Sequence, residues 1–356
     1  SPVWDTAIVS IAMRESGVPA EHPRMQQAAS WLMDREIRFR GDWHHKNPVD
    51  LEPSGWVFEF NNKWNPDVDD TAMVLLALRQ IPTDNRKRRD ECFKRGYDWM
   101  LAFQCKDGGW AAFDKDCTKS ILEKVPFADH NAMLDPECVD ITARILEVMG
   151  LEGVRRDHPQ VKRGLKFIKD SQEPDGSFYG RWGVNYVYGT WQVLRGLKAL
   201  DYDMTEPWLV RARDWLLSVQ HEDGGWGERC NTYDDPVFKG QGPSTASQTA
   251  WAVMGLCAFD DPNDSVAVDV LSAAYPGREV VPVDLQITAN TLVALPGLLE
   301  RVQARLAANP AAQAAAAERS QKLGDLHRTT RQRWQEDARK DWDAVPMTSG
   351  RLALEV

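Results

Sequence analysis

Arg95-Gly96-Tyr97-Asp98-Trp99 runs on to Gln104-Cys105-Lys106-Asp107-Gly108-Gly109-Trp110, and this stretch decides the fold because it recurs twice more. Arg163-Gly164-Leu165-Lys166-Phe167 leads to Gln172-Glu173-Pro174-Asp175-Gly176-Ser177-Phe178. Arg211-Ala212-Arg213-Asp214-Trp215 leads to Gln220-His221-Glu222-Asp223-Gly224-Gly225-Trp226. In each copy an aromatic stands five residues before a Gln, Asp-Gly follows, and a second aromatic stands six residues after that Gln. A worn fourth copy is expected from Trp31 to Trp43. Repeats offset by 68 and then 48 residues predict stacked helical hairpins. The helix should end near the Gln, Asp-Gly should make the turn, and the second aromatic should fold back to pack. A Gln side chain both donates and accepts, so it suits the unpaired backbone groups of neighbouring helix ends. Gln104, Trp110, Gln172, Phe178, Gln220 and Trp226 are therefore assigned structural roles.

Outside the repeats the pattern is helical. Trp4, Ile8 and Ile11 fall at i, i+4, i+7, and Ile141, Ile145, Val148 and Met149 follow the same stripe. Strand-like alternation is scarce, and an all-α, double-layered helical barrel is the economical architecture. The chain has 356 residues, 43% of them hydrophobic and 27% charged, which excludes fibrous and wholly disordered classes. Fifteen are Trp, and thirteen of these lie at or before Trp251, so the need for large rings is confined to the first part. A net charge of −10 argues against a nucleic-acid partner. No apolar run is long enough to cross a bilayer, although docking on a membrane surface stays open. The six cysteines lack the spacing of a zinc site, and reduced thiols are expected. No signal peptide is recognised, and the opening on Ser1 rather than Met suggests a fragment or a processed form.

The sharpest chemical feature is Pro66-Asp67-Val68-Asp69-Asp70-Thr71-Ala72, followed by the apolar run Met73–Leu78. Asp at a helix start caps free amides and complements the dipole. Three carboxylates within four residues also repel, so at least one should hold its proton unusually well. A protonated carboxyl beside ionised neighbours is an acid held ready for general acid chemistry.

Asp67-Val68-Asp69-Asp70-Thr71-Ala72 resembles the acid motif of the squalene–hopene cyclases, the class II triterpene cyclases. Ser1-Pro2-Val3-Trp4-Asp5-Thr6, Gly180-Arg181-Trp182-Gly183-Val184-Asn185-Tyr186-Val187-Tyr188-Gly189-Thr190 and Ser244-Thr245-Ala246-Ser247-Gln248-Thr249-Ala250-Trp251 are similar to that family as well. The repeats look like its QW motifs. The resemblance runs from Ser1 to about Gly255. It implies an (α/α) barrel of helical hairpins and a protonation-initiated polycyclisation of squalene to hopene- or hopanol-type products, an isomerase with a lyase-type side for the alcohol. Asp69 would be the acid, Asp67 and Asp70 would hold the charge left behind, and the acid's partner, often His in the family, falls at Arg144. Trp4, Phe58, Phe113, Trp182 and Tyr188 would stabilise the carbocations. No metal and no cofactor are implied. Squalene is the implied partner, with peripheral contact at the cytoplasmic face of a bacterial inner membrane, or a cytoplasmic location if the docking segment is absent; a homodimer stays open.

Two features depart from that family. Members are nearly twice as long, with more barrel expected before Ser1 and another repeat at the end. After about Phe259 the chain becomes unrelated, so residues 1–259 are expected to form the barrel and 260–356 a helical or partly disordered tail. Asp260-Asp261-Pro262-Asn263-Asp264 matches the magnesium-binding pattern of other terpene synthases, but its Pro-Asn centre reads as a turn. The tail, with its apolar Leu285–Leu299 and the Ala-rich 304–317, should make one or two amphipathic helices, and Thr291–Leu299 with the residues after it is faintly similar to the linker of a thiamine-diphosphate-dependent synthase. The alternative to an enzyme is a non-catalytic cyclase remnant that binds an apolar ligand or partner.

Overall fold

The computed structural model describes residues 1–47, 49–58, 61–116 and 135–259, with the isolated positions Gln321 and Thr329. The chain divides into two units, Ser1–Asp284 and Leu285–Val356. The Asp260–Asp264 turn, Leu285–Leu299 and the Ala-rich run lie outside the described residues. Among the described residues there is no strand, only isolated bridges pairing Trp56 with Asp67 and Trp110 with Cys138.

Among the described residues nine of ten α-helices form two layers. The inner layer is α1 (Pro2–Glu15), α4 (Val68–Gln80), α6 (Val139–Leu151), α8 (Tyr186–Ala199) and α10 (Ala246–Leu256), each packed on the next. The outer layer is α2 (Pro23–Met33), α5 (Arg86–Ala102), α7 (Pro159–Asp170) and α9 (Pro207–Ser218), each lying on an inner helix. A short α3 (Trp43–Lys46) precedes α4. Composition explains the layering. Every residue of α4 from Val68 to Leu78 is buried, as is every residue of α6 from Val139 to Met149. By contrast α7 buries only Val161, Gly164 and Ile168, a single stripe. Three outer helices open with Pro at their first position, where the missing N–H costs no bond.

The stripe read on α1 is corrected. Val3, Ala7, Ser10 and Ile11 face inward, whereas Ile8 is 44% exposed.

The repeat has a defined hydrogen-bond code. Gln104 Nε2 donates to Gly108 O at 2.9 Å and to Gln160 O in the first turn of α7 at 2.8 Å, while its Oε1 accepts from Arg163. Gln172 does the same to Gly176 O, Trp208 O and Arg211. The Gln thus ties its own turn to the next outer helix. Carbonyls of the preceding helix end are taken by the indoles instead: Trp110 Nε1 donates to Met100 O at 3.1 Å and Trp226 Nε1 to Leu216 O at 2.8 Å. Gly108 and Gly176 sit at φ +103° and +98°, and a Cβ on either would lie 2.4 or 2.6 Å from the carbonyl oxygen of Arg163 or Arg211. Only Gly fits both requirements.

The worn copy exists, but it ends at Trp56 rather than Trp43. Trp56 Nε1 donates to Leu32 O at 2.7 Å, the bond made by the other repeat tryptophans. Glu36 takes the Gln position and accepts Arg95 Nε and Nη2 at 2.9 and 2.7 Å. Trp43 instead packs edge-on against Trp99, ring centroids 5.8 Å apart.

One last element of the code positions the chemistry. The backbone N–H of each closing aromatic donates to a Thr hydroxyl one turn into the next inner helix: Trp56 to Thr71, Trp110 to Thr142, Phe178 to Thr190 and Trp226 to Thr249, all at 2.9–3.1 Å. Asp69, Asp140 and Tyr188 each stand two residues before such a Thr, at the N-terminal ends of neighbouring inner helices.

Candidate active site

Asp67 is the N-cap of α4. Its backbone is extended, and its Oδ1 accepts the N–H of Asp69 at 2.6 Å and of Asp70 at 2.9 Å. Thr71 Oγ1 donates to Asp67 O at 2.6 Å while accepting from Trp56 N, so the repeat itself clamps the acid motif. Asp67, Asp69 and Asp70 are all buried. They share a cavity of about 400 Å³ with Trp4, Phe58, Phe113, Trp182 and Tyr188, so all five aromatics named from the sequence line one space with the acid motif. Tyr188 is buried, Phe58 is 46% exposed, and the other three are half-buried. Asp5, Asn62 and Asn65 add polar lining that the sequence did not single out.

Arg144 stands behind Asp69. Its Nη1 lies 3.0 Å from Asp69 Oδ1 and 3.1 Å from Oδ2. Its Nη2 donates to Tyr188 Oη at 2.7 Å and to Gln192 Oε1 at 3.1 Å, and its guanidinium lies 5.1 Å from the Trp4 ring centroid. Asp140, beside it on α6, accepts the backbone N–H of Trp182 at 2.8 Å and so fixes the start of the Trp182 segment.

The electrostatics follow from this geometry. Burial pushes the Asp69 carboxyl up to about 6; the Arg144 cation opposes the rise and Asp140 adds to it. Asp70 is pushed further, to about 8, by burial and then by Asp69, and its Oδ1 is buried with no hydrogen-bond partner among the described residues. Asp67 is also held well above the usual carboxylate range by burial and by its two Asp neighbours, against the two amides it accepts. Repulsion within the motif therefore exists as read from the sequence, but burial outweighs it. Burial works against the Arg144 cation, yet Asp69 and Tyr188 keep it charged. A negative charge left on Asp69 would meet Arg144 directly. The bonded oxygen of Asp67 is occupied with backbone amides.

Gln192 and Glu147 were not found from the sequence, although Gln192 is one turn from Tyr188 and Glu147 is three residues from Arg144. Both are buried and both bond toward Arg144. Among the described residues one mixed cluster, Cys105, Asp116 and Glu137, brings ligand-type atoms within 4.8 Å of one another, and none of the three lines the cavity. None of the five described cysteines forms a disulfide.

The family described as "Squalene-hopene cyclase C-terminal domain" matches residues 1–272. The chain belongs to the squalene–hopene cyclase family. It is 45% identical over 258 residues to the squalene–hopene cyclase of Alicyclobacillus acidocaldarius, covering 72% of this chain and 41% of that protein. It is 43% identical over 270 residues to the squalene–hopene cyclase of Zymomonas mobilis, covering 74% and 40%. The dammaradiene synthase of Dryopteris crassirhizoma is likewise 43% identical over 280 residues, covering 73% and 41%. The chain thus spans about two-fifths of the length of these relatives. The apo structure of the type II terpene cyclase MstE from Scytonema superposes with a TM-score of 0.51 at 15% identity, covering 76% of this chain and 66% of that one, and shares the fold.

Proposed function

We propose that this chain carries the acid-bearing part of a class II terpene cyclase that folds squalene and closes it to hopene- or hopanol-type pentacyclic products. The observation that carries the proposal is a buried carboxyl, Asp69, backed by a permanent cation and facing an aromatic-lined cavity. Names of relatives at 43–45% identity support squalene as the substrate.

In this reading the protonated Asp69 gives its proton to the terminal alkene. The alkene π pair forms the new C–H bond, the adjacent carbon becomes a tertiary cation, and Asp69 is left as a carboxylate beside Arg144. An alkene is a very weak base, so the transfer depends on excluding water and on charge stabilisation that exists before the reaction. Arg144 supplies that stabilisation to the conjugate base through contacts to both Asp69 oxygens. Each further double bond attacks the cation before it, and the positive charge travels along the cavity. The faces of Trp4, Phe58, Phe113, Trp182 and Tyr188 stabilise it, each by up to about 2 kcal/mol in a dry site. Loss of a proton gives an alkene; capture of water gives an alcohol. An apolar polyene reaches such a site from a bilayer, so the proposal includes peripheral contact with a membrane surface. No described helix is long and apolar enough to cross one.

The test is incubation of the chain with detergent-solubilised squalene and analysis of the extract by gas chromatography–mass spectrometry, with Asp69→Asn beside it. Pentacyclic product from the parent alone is expected. Product from both would overturn the role of Asp69; product from neither would overturn catalysis by this chain alone and favour the non-catalytic remnant.

A further inference from the structure

The acid does not end at Arg144. From Asp69 a continuous line of polar contacts runs down the inner helices, from their N-terminal ends toward their C-terminal ends. Arg144 Nη2 donates to Gln192 Oε1 at 3.1 Å, and Gln192 Nε2 donates to Glu147 Oε2 at 3.3 Å. The other Glu147 oxygen accepts Arg195 Nε at 2.6 Å, and Arg195 Nη2 donates to Glu15 at 3.1 Å. Glu15 closes α1, the helix that carries Trp4 at its other end. Charge alternates along the line: Asp69, Arg144, Glu147, Arg195, Glu15.

Burial gives the line meaning. Gln192 is 1% exposed, Glu147 3% and Arg144 3%. Placing a Gln and a Glu in the middle of otherwise apolar helices is costly unless every group is bonded, and here each one is. A guanidinium that must stay planar across one carboxylate needs its remaining donors held as well. Tyr188 holds one side of Nη2 and Gln192 the other.

We propose that Gln192 and Glu147 are positioning residues for the proton-donating carboxyl: they fix the Arg144 guanidinium against Asp69 and, through Arg195, couple the acid to charge at the opposite end of the helices. The proposal rests on Asp69 being the proton donor. It adds that the strength of this acid is set by residues that touch neither the cavity nor the substrate.

The groups facing the line are few. Asp69 is faced by Asp67 at its helix's N-cap and by Asp70, by Cys138 at the N-cap of α6, by Asp140 and Arg144 from α6, and by Tyr188 from α8; the adjoining Asp70 also feels Asp5 of α1 and the Ser1 amino group at the N-cap of α1. Glu147 is faced by Arg144 on its own helix and by Gln192 and Arg195 from α8; Arg195 meets Glu15 of α1 and Met254 of α10. Removing the Glu147 charge leaves Arg144 less neutralised, so Asp69 should lose its proton at lower pH. Removing the Arg195 charge frees Glu147 to offset Arg144 more strongly, so Asp69 should keep its proton to higher pH. Each shift should be about one pH unit at an effective dielectric near 20.

The experiment needs no turnover. The full chain is labelled with aspartate carrying ¹³C at its side-chain carboxyl, and the carboxyl resonances are titrated by NMR; the Asp69 signal is the one lost in Asp69→Asn. A downward shift of its midpoint in Glu147→Gln, with an upward shift in Arg195→Gln, is expected. An unmoved midpoint in both variants, or shifts of the same sign, would overturn the proposal. Arg195 is 30% exposed on its side chain, so its variant keeps the test available if Glu147→Gln fails to fold. Because the titration is read without substrate, a chain that forms no product would refute the cyclase reading and leave this result standing.

Discussion

Arg144 straddles the Asp69 carboxylate, its Nη1 within 3.1 Å of both oxygens, while its guanidinium carbon lies over the Trp4 ring, 5.1 Å from the centroid. Two opposing influences meet in this pair. Burial favours the neutral acid and the guanidinium favours the carboxylate, and burial prevails enough to place the group near 6. An acid that is protonated under mild conditions, yet whose conjugate base is already paired, is suited to giving up its proton once.

Replacing Arg144 by Gln removes the paired charge at similar volume. Asp69 should then hold its proton to higher pH and become a weaker acid. Product formation is expected to fall by about 10²–10⁴-fold, and the pH at which the remaining activity disappears should move upward. Rate–pH profiles of the two proteins check both; an unchanged profile would remove Arg144 from the acid.

Turnover requires the protonated form of Asp69. It should therefore be present below pH about 6 and be lost as the pH rises through that value. A profile that rises through the same range would contradict the assignment.

Asp70 carries a different consequence, because its carboxyl is pushed from 3.8 up to about 8 on folding. A raised carboxyl favours the folded state at low pH, and that contribution fades as the pH climbs from 3.8 through about 8. Asp70→Asn should raise the melting temperature at pH 8 and change it little at pH 4. Thermal melts at the two values decide the point.

Thr71 and Thr142 make the same bond in successive repeats, accepting a buried Trp N–H at 3.1 and 2.9 Å. Conversion of either to Val leaves that N–H unsatisfied and should cost about 1–3 kcal/mol in urea unfolding. Only Thr71→Val should also reduce product formation beyond its loss of folded protein, since only Thr71 bonds to Asp67.

Much of the fold was legible because the repeat is spelled in consecutive residues: Gln, Asp-Gly and the second aromatic set a helix end, a turn and a packed ring within a few positions. The first copy was misplaced for a physical reason. Glu36 and Trp56 are twenty residues apart where the other copies span six, and a Glu–Arg pair replaces the Gln–Arg pair, so the indole-to-carbonyl bond and the Arg pairing are kept through a longer loop while the two carbonyl contacts of the Gln amide are lost. The acid motif was visible for the same reason as the repeat: Asp67, Asp69 and Asp70 are neighbours along the chain. What the sequence did not disclose was the balance of burial against repulsion, which depends on how deeply α4 is enclosed. Gln192 and Glu147 were hidden because their meaning lies in partners on other helices. The exposure of Ile8 came from the same limit, since a periodic stripe does not say which of its sides the next helix covers.

The most direct test of the central claim is the cyclisation of squalene in D₂O by the full chain. If Asp69 delivers the first proton, its exchanged deuteron must appear in the product. The terminal ring should then carry one deuterium at the carbon of the protonated alkene, and Asp69→Asn should give no product. A pentacyclic product without deuterium at that carbon, or an equal yield from Asp69→Asn, would contradict the account.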